Sequence, residues 1–94
     1  MGKKKVAIIG VTGAVGQEFV QSLDNHPWFE VTQIAASERS AGKKYLDAIK
    51  DASGIISWDV GGEIPEYIKE MTVLSVDQLD VSQLDLVFSA VESE

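Results

Sequence analysis

Three glycines, Gly10, Gly13 and Gly16, are the residues of this 94-residue sequence whose type and spacing point most directly to chemistry. They punctuate Gly10-Val11-Thr12-Gly13-Ala14-Val15-Gly16, which joins a β-branched run to an amphipathic one. A glycine at a strand end permits a tight turn. A second, without a Cβ, lets the backbone approach a phosphate, and a third lets a helix pack closely on the sheet. A helix that starts here presents unpaired N–H groups and partial positive charge to an anion. The spacing is G-x-x-G-x-x-G, without the G-K-[ST] ending of an ATP or GTP loop. The loop therefore suits a dinucleotide pyrophosphate; the competing reading is a bare turn that needs positive φ and binds nothing.

The end of the next strand separates NAD from NADP. An NAD site places an acidic residue there, about 20 residues beyond the glycines, against the ribose 2′-OH. Here Ala35-Ala36-Ser37-Glu38-Arg39-Ser40-Ala41-Gly42-Lys43 supplies small residues, then two hydroxyls and a guanidinium. Ser37, Arg39 and Ser40 can grip a 2′-phosphate through charge-assisted hydrogen bonds, which favours NADP. Glu38 dissents, since turned inward it would favour NAD. The alternative for Arg39 and Lys43 is a solvated surface loop.

The elements that must position these groups are written in the periodicity. Lys4 to Ile9 is a short β-branched run of the kind found in strands buried on both faces. From Ala14, the residues Val15, Phe19, Val20 and Leu23 share one face of a helix, while Gln17, Glu18, Gln21 and Ser22 take the others. Asn25-His26-Pro27 stops that helix. Val31 to Ala36 reads as a second strand, Thr72 to Val76 as a third and Leu84 to Ala90 as a fourth. Between the second and third, Tyr45, Leu46 and Ile49 suggest a helical turn or two, and Pro65 a helix start. Residues 77–84 suggest a short helical turn. Parallel strands need right-handed crossovers, so the expected fold is α/β, a partial doubly wound parallel sheet with strand order 3-2-1-4. A helix is expected to follow the fourth strand, where the sequence stops at Glu94, so the chain reads as the amino-terminal part, residues 1–94, of a longer dinucleotide-binding domain.

Composition removes several classes. Hydrophobic residues make up 45% and charged residues 24%, which is a globular balance. The apolar run Val6-Ala7-Ile8-Ile9 is far short of the ~20 residues of a membrane helix, and no signal-peptide core follows Lys3-Lys4-Lys5. The net charge of −7 is uneven: residues 1–50 carry seven Lys/Arg against five Asp/Glu, and residues 51–94 one Lys against ten Asp/Glu. An acidic half argues against an extended nucleic-acid track. With no cysteine there is no disulfide, thiolate metal site or cysteine nucleophile. No catalytic residue and no metal site is assigned: His26, the single histidine, sits at a helix stop and reads as a surface histidine. The expected setting is cytoplasmic, with no membrane or nucleic-acid partner.

The glycine motif together with Ser37-Glu-Arg-Ser-Ala-Gly-Lys43 resembles the amino-terminal part of aspartate-semialdehyde dehydrogenase, especially its archaeal and fungal branch. Trp58, Ile64-Pro65-Glu66, Met71 and Leu86-Val87-Phe88-Ser89-Ala90 fit as well. The likeness covers essentially the whole chain but only the first quarter to third of such an enzyme. It implies NADPH-dependent reduction of β-aspartyl phosphate to the semialdehyde with phosphate release, in amino-acid biosynthesis. By position it implies Thr12, Gly13, Ala14 and Val15 at the pyrophosphate, Ser37, Arg39 and Ser40 at the 2′-phosphate, and Ser89 toward the ribose or nicotinamide. It also implies a homodimer or homotetramer built through a second domain. The family's cysteine nucleophile and acid/base histidine have no counterpart in these residues, so the chain alone is expected to be inactive.

Related reductases of N-acetyl-glutamyl phosphate or malonyl-CoA resemble the same scaffold, and a cofactor domain does not choose among acyl substrates. A non-catalytic NADP-sensing module is the alternative of another class. A short-chain dehydrogenase would carry a Tyr-x-x-x-Lys pair, but Ile49 and Met71 stand four residues after Tyr45 and Tyr67.

Overall fold

In a computed structural model that describes residues 2–90, the alternation of β-branched runs and helical periodicity becomes a four-stranded parallel sheet. Its strands are β1 (Lys4–Ile9), β2 (Phe29–Ala35), β3 (Val73–Leu74) and β4 (Leu86–Ser89), ordered β3-β2-β1-β4. This is the order expected of a doubly wound sheet, in which the chain reverses direction at β1 and its crossovers cover both faces. Helix α1 (Ala14–Ser22) connects β1 to β2, and the short helices α2 (Tyr45–Ala48) and α3 (Glu66–Lys69) lie on the way to β3. Two 3-10 turns, Val76–Gln78 and Val81–Gln83, lead to β4. The position after β4, where a further helix is expected, lies outside the described residues. No helix among the described residues is long and apolar enough to cross a membrane.

The register builds the core in rows. Ile8 pairs with Ile34 and Phe88, and Ile34 with Val73, so these four side chains share one face. That face meets Val20 and Leu23 of the first crossover and Tyr45, Ile49 and Ile68 of the second. Phe88 stacks on Phe19 with ring centroids 5.2 Å apart. Each fully buried Ile or Val of this row contributes roughly 1.5–3 kcal/mol relative to exposure. The other face carries the row Ala7, Gln33 and Val87. There the Gln33 carboxamide clasps the Asp80 backbone, donating to its carbonyl at 3.1 Å and accepting from its N–H at 2.9 Å. The pairing skips Thr32 between Val31 and Gln33, a bulge that sets this register.

Several sequence expectations shift. The second strand begins at Phe29, where Lys4 N–H donates to Trp28 O at 2.8 Å. The third is confined to Val73–Leu74, because Ser75 opens a 3-10 turn and its N–H is taken by Gln78 Oε1 at 2.9 Å. Pro65 precedes α3 as its N-cap. Val20 on α1 and Leu23 at its C-cap are buried as expected, but Val15 is 42% exposed while Gln17 is only 1% exposed. The flank expected to face solvent is covered by the long crossover. His26 accepts a hydrogen bond from Trp28 N–H through Nδ1 at 3.1 Å and packs against Phe29. This places it at the start of β2, away from the carboxyl ends of the strands.

The crossover after α2 is held by its own hydrogen bonds. Asp51 Oδ1 accepts from Ser53 N–H at 2.8 Å and Ile55 N–H at 3.0 Å, closing a turn. Ser57 N–H then donates to Ile49 O at 2.9 Å. Further on, Tyr67 OH reaches back to Val20 O at 2.8 Å.

Candidate functional site

The carboxyl ends of the parallel strands open onto one edge, and β1 lies where the chain's crossovers diverge to β2 on one side and β4 on the other. Open α/β sheets bind ligands at such a point. Gly10 leaves β1 with φ +79°, a left-handed conformation that favours glycine. Gly10 and Val11 N–H donate to Ala35 O at 2.9 and 3.2 Å, tying the loop to the end of β2.

Every carbonyl from Gly10 to Gly13 is engaged within the protein. Gly10 O accepts from Gly13 N–H at 3.3 Å and Gly13 O from Gln17 N–H at 2.8 Å. Val11 O accepts from Tyr45 OH at 2.9 Å, and Thr12 O from Gln17 Nε2 at 3.1 Å. By contrast, the N–H groups of Thr12, Ala14, Val15 and Gly16 find no acceptor among the described residues. The loop thus turns acceptors inward and leaves donors free at the positive end of a nine-residue helix.

Tyr45 is fully buried, and burial pushes its phenol well above the usual range, so the hydroxyl stays a neutral donor. A Tyr45→Phe change strands the Val11 carbonyl and is expected to cost about 1–3 kcal/mol. Urea unfolding checks this; unchanged stability would mean that water reaches that carbonyl.

The three glycines do different work. A Cβ on Gly16 would overlap the Gly10 carbonyl oxygen and come within 2.7 Å of Val11 Cα, so α1 and the end of β1 touch backbone to backbone. Gly13 has φ −81°, which any residue adopts, and a Cβ there would meet only Gly10 O at 3.8 Å. The space beside Gly13 opens into a hollow of about 390 Å³, lined by Gly10, Thr12, Gly13, Ala14 and Val15 on one side and by Ala36, Ser37 and Ala90 on the other.

A second hollow of about 580 Å³ shares Thr12 and Ser37 with the first. Its walls include Arg39, Ser40 and Lys43 from the turn after β2, and Ile49 to Ala52 with Ser57 from the crossover. Neither Arg39 nor Lys43 is in an ion pair among the described residues, whereas Lys44 pairs with Glu70 at 2.7 Å and Lys50 with Asp47 at 3.1 Å. Glu38, the acidic dissenter, is exposed and lines neither hollow. The two hollows together have the dimensions of a small-molecule site. Free donors, uncommitted cations and a surface that spares a Cβ at Gly13 fit a phosphorylated dinucleotide.

The structure therefore gathers Gly10, Thr12, Gly13, Ala14, Val15, Ser37, Arg39 and Ser40 around one cleft. Gly16 lies beneath it in the helix–strand contact. Ser89, which pairs with Ile9 at the end of β4, lines neither hollow, whereas Ala90 lines the first.

Gln17 is the residue that sequence reading missed. Its Nε2 donates to Ser57 O at 2.8 Å as well as to Thr12 O, and its Oε1 accepts from Asp59 N–H at 2.7 Å. Its neighbours on that flank, Glu18, Gln21 and Ser22, are polar as well, so no local signal set it apart.

Residues 5–94 match the family described as semialdehyde dehydrogenase, NAD binding domain. The aspartate-semialdehyde dehydrogenase of Methanothermobacter thermautotrophicus is 42% identical over 89 residues, covering 95% of this chain and 24% of the relative. That of Schizosaccharomyces pombe is 39% identical over 94 residues, covering 100% of this chain and 24% of the relative. The crystal structure of the Candida albicans aspartate-semialdehyde dehydrogenase with NADP superposes with a TM-score of 0.81 at 37% identity, over 97% of this chain and 24% of that one. The chain thus spans about a quarter of the length of these relatives. A parallel sheet in the order 3-2-1-4, a glycine loop with outward donors, and a family match over nearly every residue agree: this chain belongs to the semialdehyde dehydrogenase, NAD binding domain family.

Proposed function

We propose that this chain binds NADP as the amino-terminal part, residues 1–94, of the dinucleotide-binding domain of an aspartate-semialdehyde dehydrogenase. The free N–H groups of Thr12, Ala14 and Val15 take the pyrophosphate beside Gly13, with Gly10 turning the chain toward it and Gly16 seating the helix. Ser37, Arg39 and Ser40 hold the 2′-phosphate, aided by the charge of Lys43. Ala90 forms the wall on the β4 side, with Ser89 toward the ribose or nicotinamide.

The observation that carries this reading is the union of the two hollows at Thr12 and Ser37, which puts the donor-only loop and the unpaired Arg39 in one cleft. The neighbour solved with NADP supports the same ligand class.

When bound, NADPH supplies hydride for the reduction of an acyl group. These residues bind and orient the cofactor; the chain holds no cysteine and so contributes no thiol nucleophile. In the longer protein we infer reduction of β-aspartyl phosphate to the semialdehyde with release of phosphate, within amino-acid biosynthesis. We further infer a cytoplasmic homodimer or homotetramer.

The test is a thermal melt with NADP, with NAD and with neither. A ligand that binds only the folded state adds RT ln(1 + [L]/Kd), about 2.7 kcal/mol at 100 Kd. For a domain of this size that is a rise in Tm of roughly 10–20 °C. A larger rise with NADP than with NAD is expected; a cooperative melt that neither cofactor moves would refute autonomous binding.

A further inference from the structure

Gln17 is almost wholly buried, and its side-chain hydrogen bonds lie entirely with backbone. Both hydrogens of its Nε2 are spent, on Thr12 O and Ser57 O, while Oε1 takes the N–H of Asp59. Only a carboxamide offers two donors and an acceptor from one planar group. An ionised glutamate would have nothing to donate, and asparagine is shorter by a methylene.

The groups joined in this way belong to the two halves of the cleft. Thr12 lines both hollows, and Ser57 lines the larger one together with Lys50, Asp51 and Ala52. We propose that Gln17 is a positioning residue for the cofactor: it pins the crossover wall at Ser57 to the glycine loop. A ligand that engages the loop then meets a 2′-phosphate pocket already formed. This rests on the NADP reading above.

The physical basis is preorganisation. The crossover wall is a surface segment with few apolar anchors, the kind that opens locally at small cost. Apparent affinity falls in proportion to the fraction of molecules whose wall is in place. A clamp from the first turn of α1 keeps that fraction near one. Gln21, one turn later, makes a comparable bond to Gly61 O at 2.9 Å, but neither residue lines the cleft. It provides an internal comparison.

The experiment measures Kd for NADP by calorimetry on the full chain and on Gln17→Met and Gln21→Met, at a temperature where circular dichroism shows each folded. Gln17→Met is expected to raise Kd about tenfold, the effect of a wall in place about one-tenth of the time, and Gln21→Met less than twofold. In parallel, NADP is expected to slow hydrogen exchange at the Asp59 N–H of the unaltered chain several-fold. Asp59 lines neither hollow, so protection there reports the clamp rather than direct cover.

Folded Gln17→Met with unchanged Kd would reduce Gln17 to a structural residue and overturn the proposal. If that variant does not fold, exchange decides: NADP binding that leaves the Asp59 N–H unprotected overturns it equally. No NADP binding by the unaltered chain removes the underlying reading and this inference together; binding with an unmoved Asp59 removes this inference alone.

Discussion

Gly16→Ala is expected to destabilise the fold by about 2–3 kcal/mol, although alanine is the better helix former. The propensity gain is worth about 1 kcal/mol. Against it stands the overlap of the new Cβ with the Gly10 carbonyl and the 2.7 Å approach to Val11 Cα. Overpacking of this kind costs about 1–3 kcal/mol where side chains can yield, and occasionally more. Here the obstacle is backbone, fixed by the Gly10 and Val11 N–H bonds to Ala35 O, so relief means shifting α1 off the sheet, and the cost sits above that range at about 3–4 kcal/mol, leaving about 2–3 net. For a domain with roughly 5–14 kcal/mol of total stability the loss is large, and Tm should fall by about 10–20 °C.

Gly13→Ala should behave in the opposite way. Its backbone conformation suits any residue, and the added methyl meets nothing closer than 3.8 Å. Alanine is a poorer N-cap than glycine, so a stability cost of up to about 1 kcal/mol is expected. The methyl would instead occupy the space proposed for the pyrophosphate, and NADP affinity should drop at least tenfold. Melts with and without NADP separate the two variants: Gly16→Ala loses stability in both conditions, Gly13→Ala loses mainly the ligand-induced rise. Full retention of that rise in Gly13→Ala would place the phosphates elsewhere.

The second large effect concerns cofactor choice. Arg39 is exposed, carries no ion-pair partner among the described residues and lines the larger hollow with Ser37 and Ser40. A hydrogen bond to a charged group contributes about 1.5–3 kcal/mol. Arg39→Ala should therefore weaken NADP about 10- to 100-fold and leave NAD within about threefold, since NAD has no 2′-phosphate for the guanidinium to meet. Arg39→Lys should recover part of the loss, because lysine keeps the charge but not the fork. Titration with both cofactors at fixed ionic strength is the measurement, as an exposed guanidinium is screened by salt. Equal weakening of NAD and NADP would assign Arg39 to the fold or the adenosine instead.

What the sequence by itself determined is what depends on neighbours along the chain. A β-branched run stopped by glycine makes β1, the 3.6-residue recurrence of Phe19, Val20 and Leu23 makes α1, and the strand–helix alternation behind a glycine loop points to the doubly wound order 3-2-1-4. The glycine loop was legible for the same reason, since turn, free donors and helix start lie within seven consecutive residues. The tertiary structure alone decided the groups whose partners are distant. Gln17 looks like a solvent-facing residue until a segment 40 positions away covers it, and Tyr45 like one of several apolar residues until its hydroxyl meets a carbonyl 34 positions back. The role of β4 turns on a single step of register: strand parity sends Phe88 to one face and Ser89 to the other, and no local pattern sets that parity. Backbone propensity is local, whereas satisfying a buried polar group is not, because its partner is whichever atom the fold brings within about 3 Å.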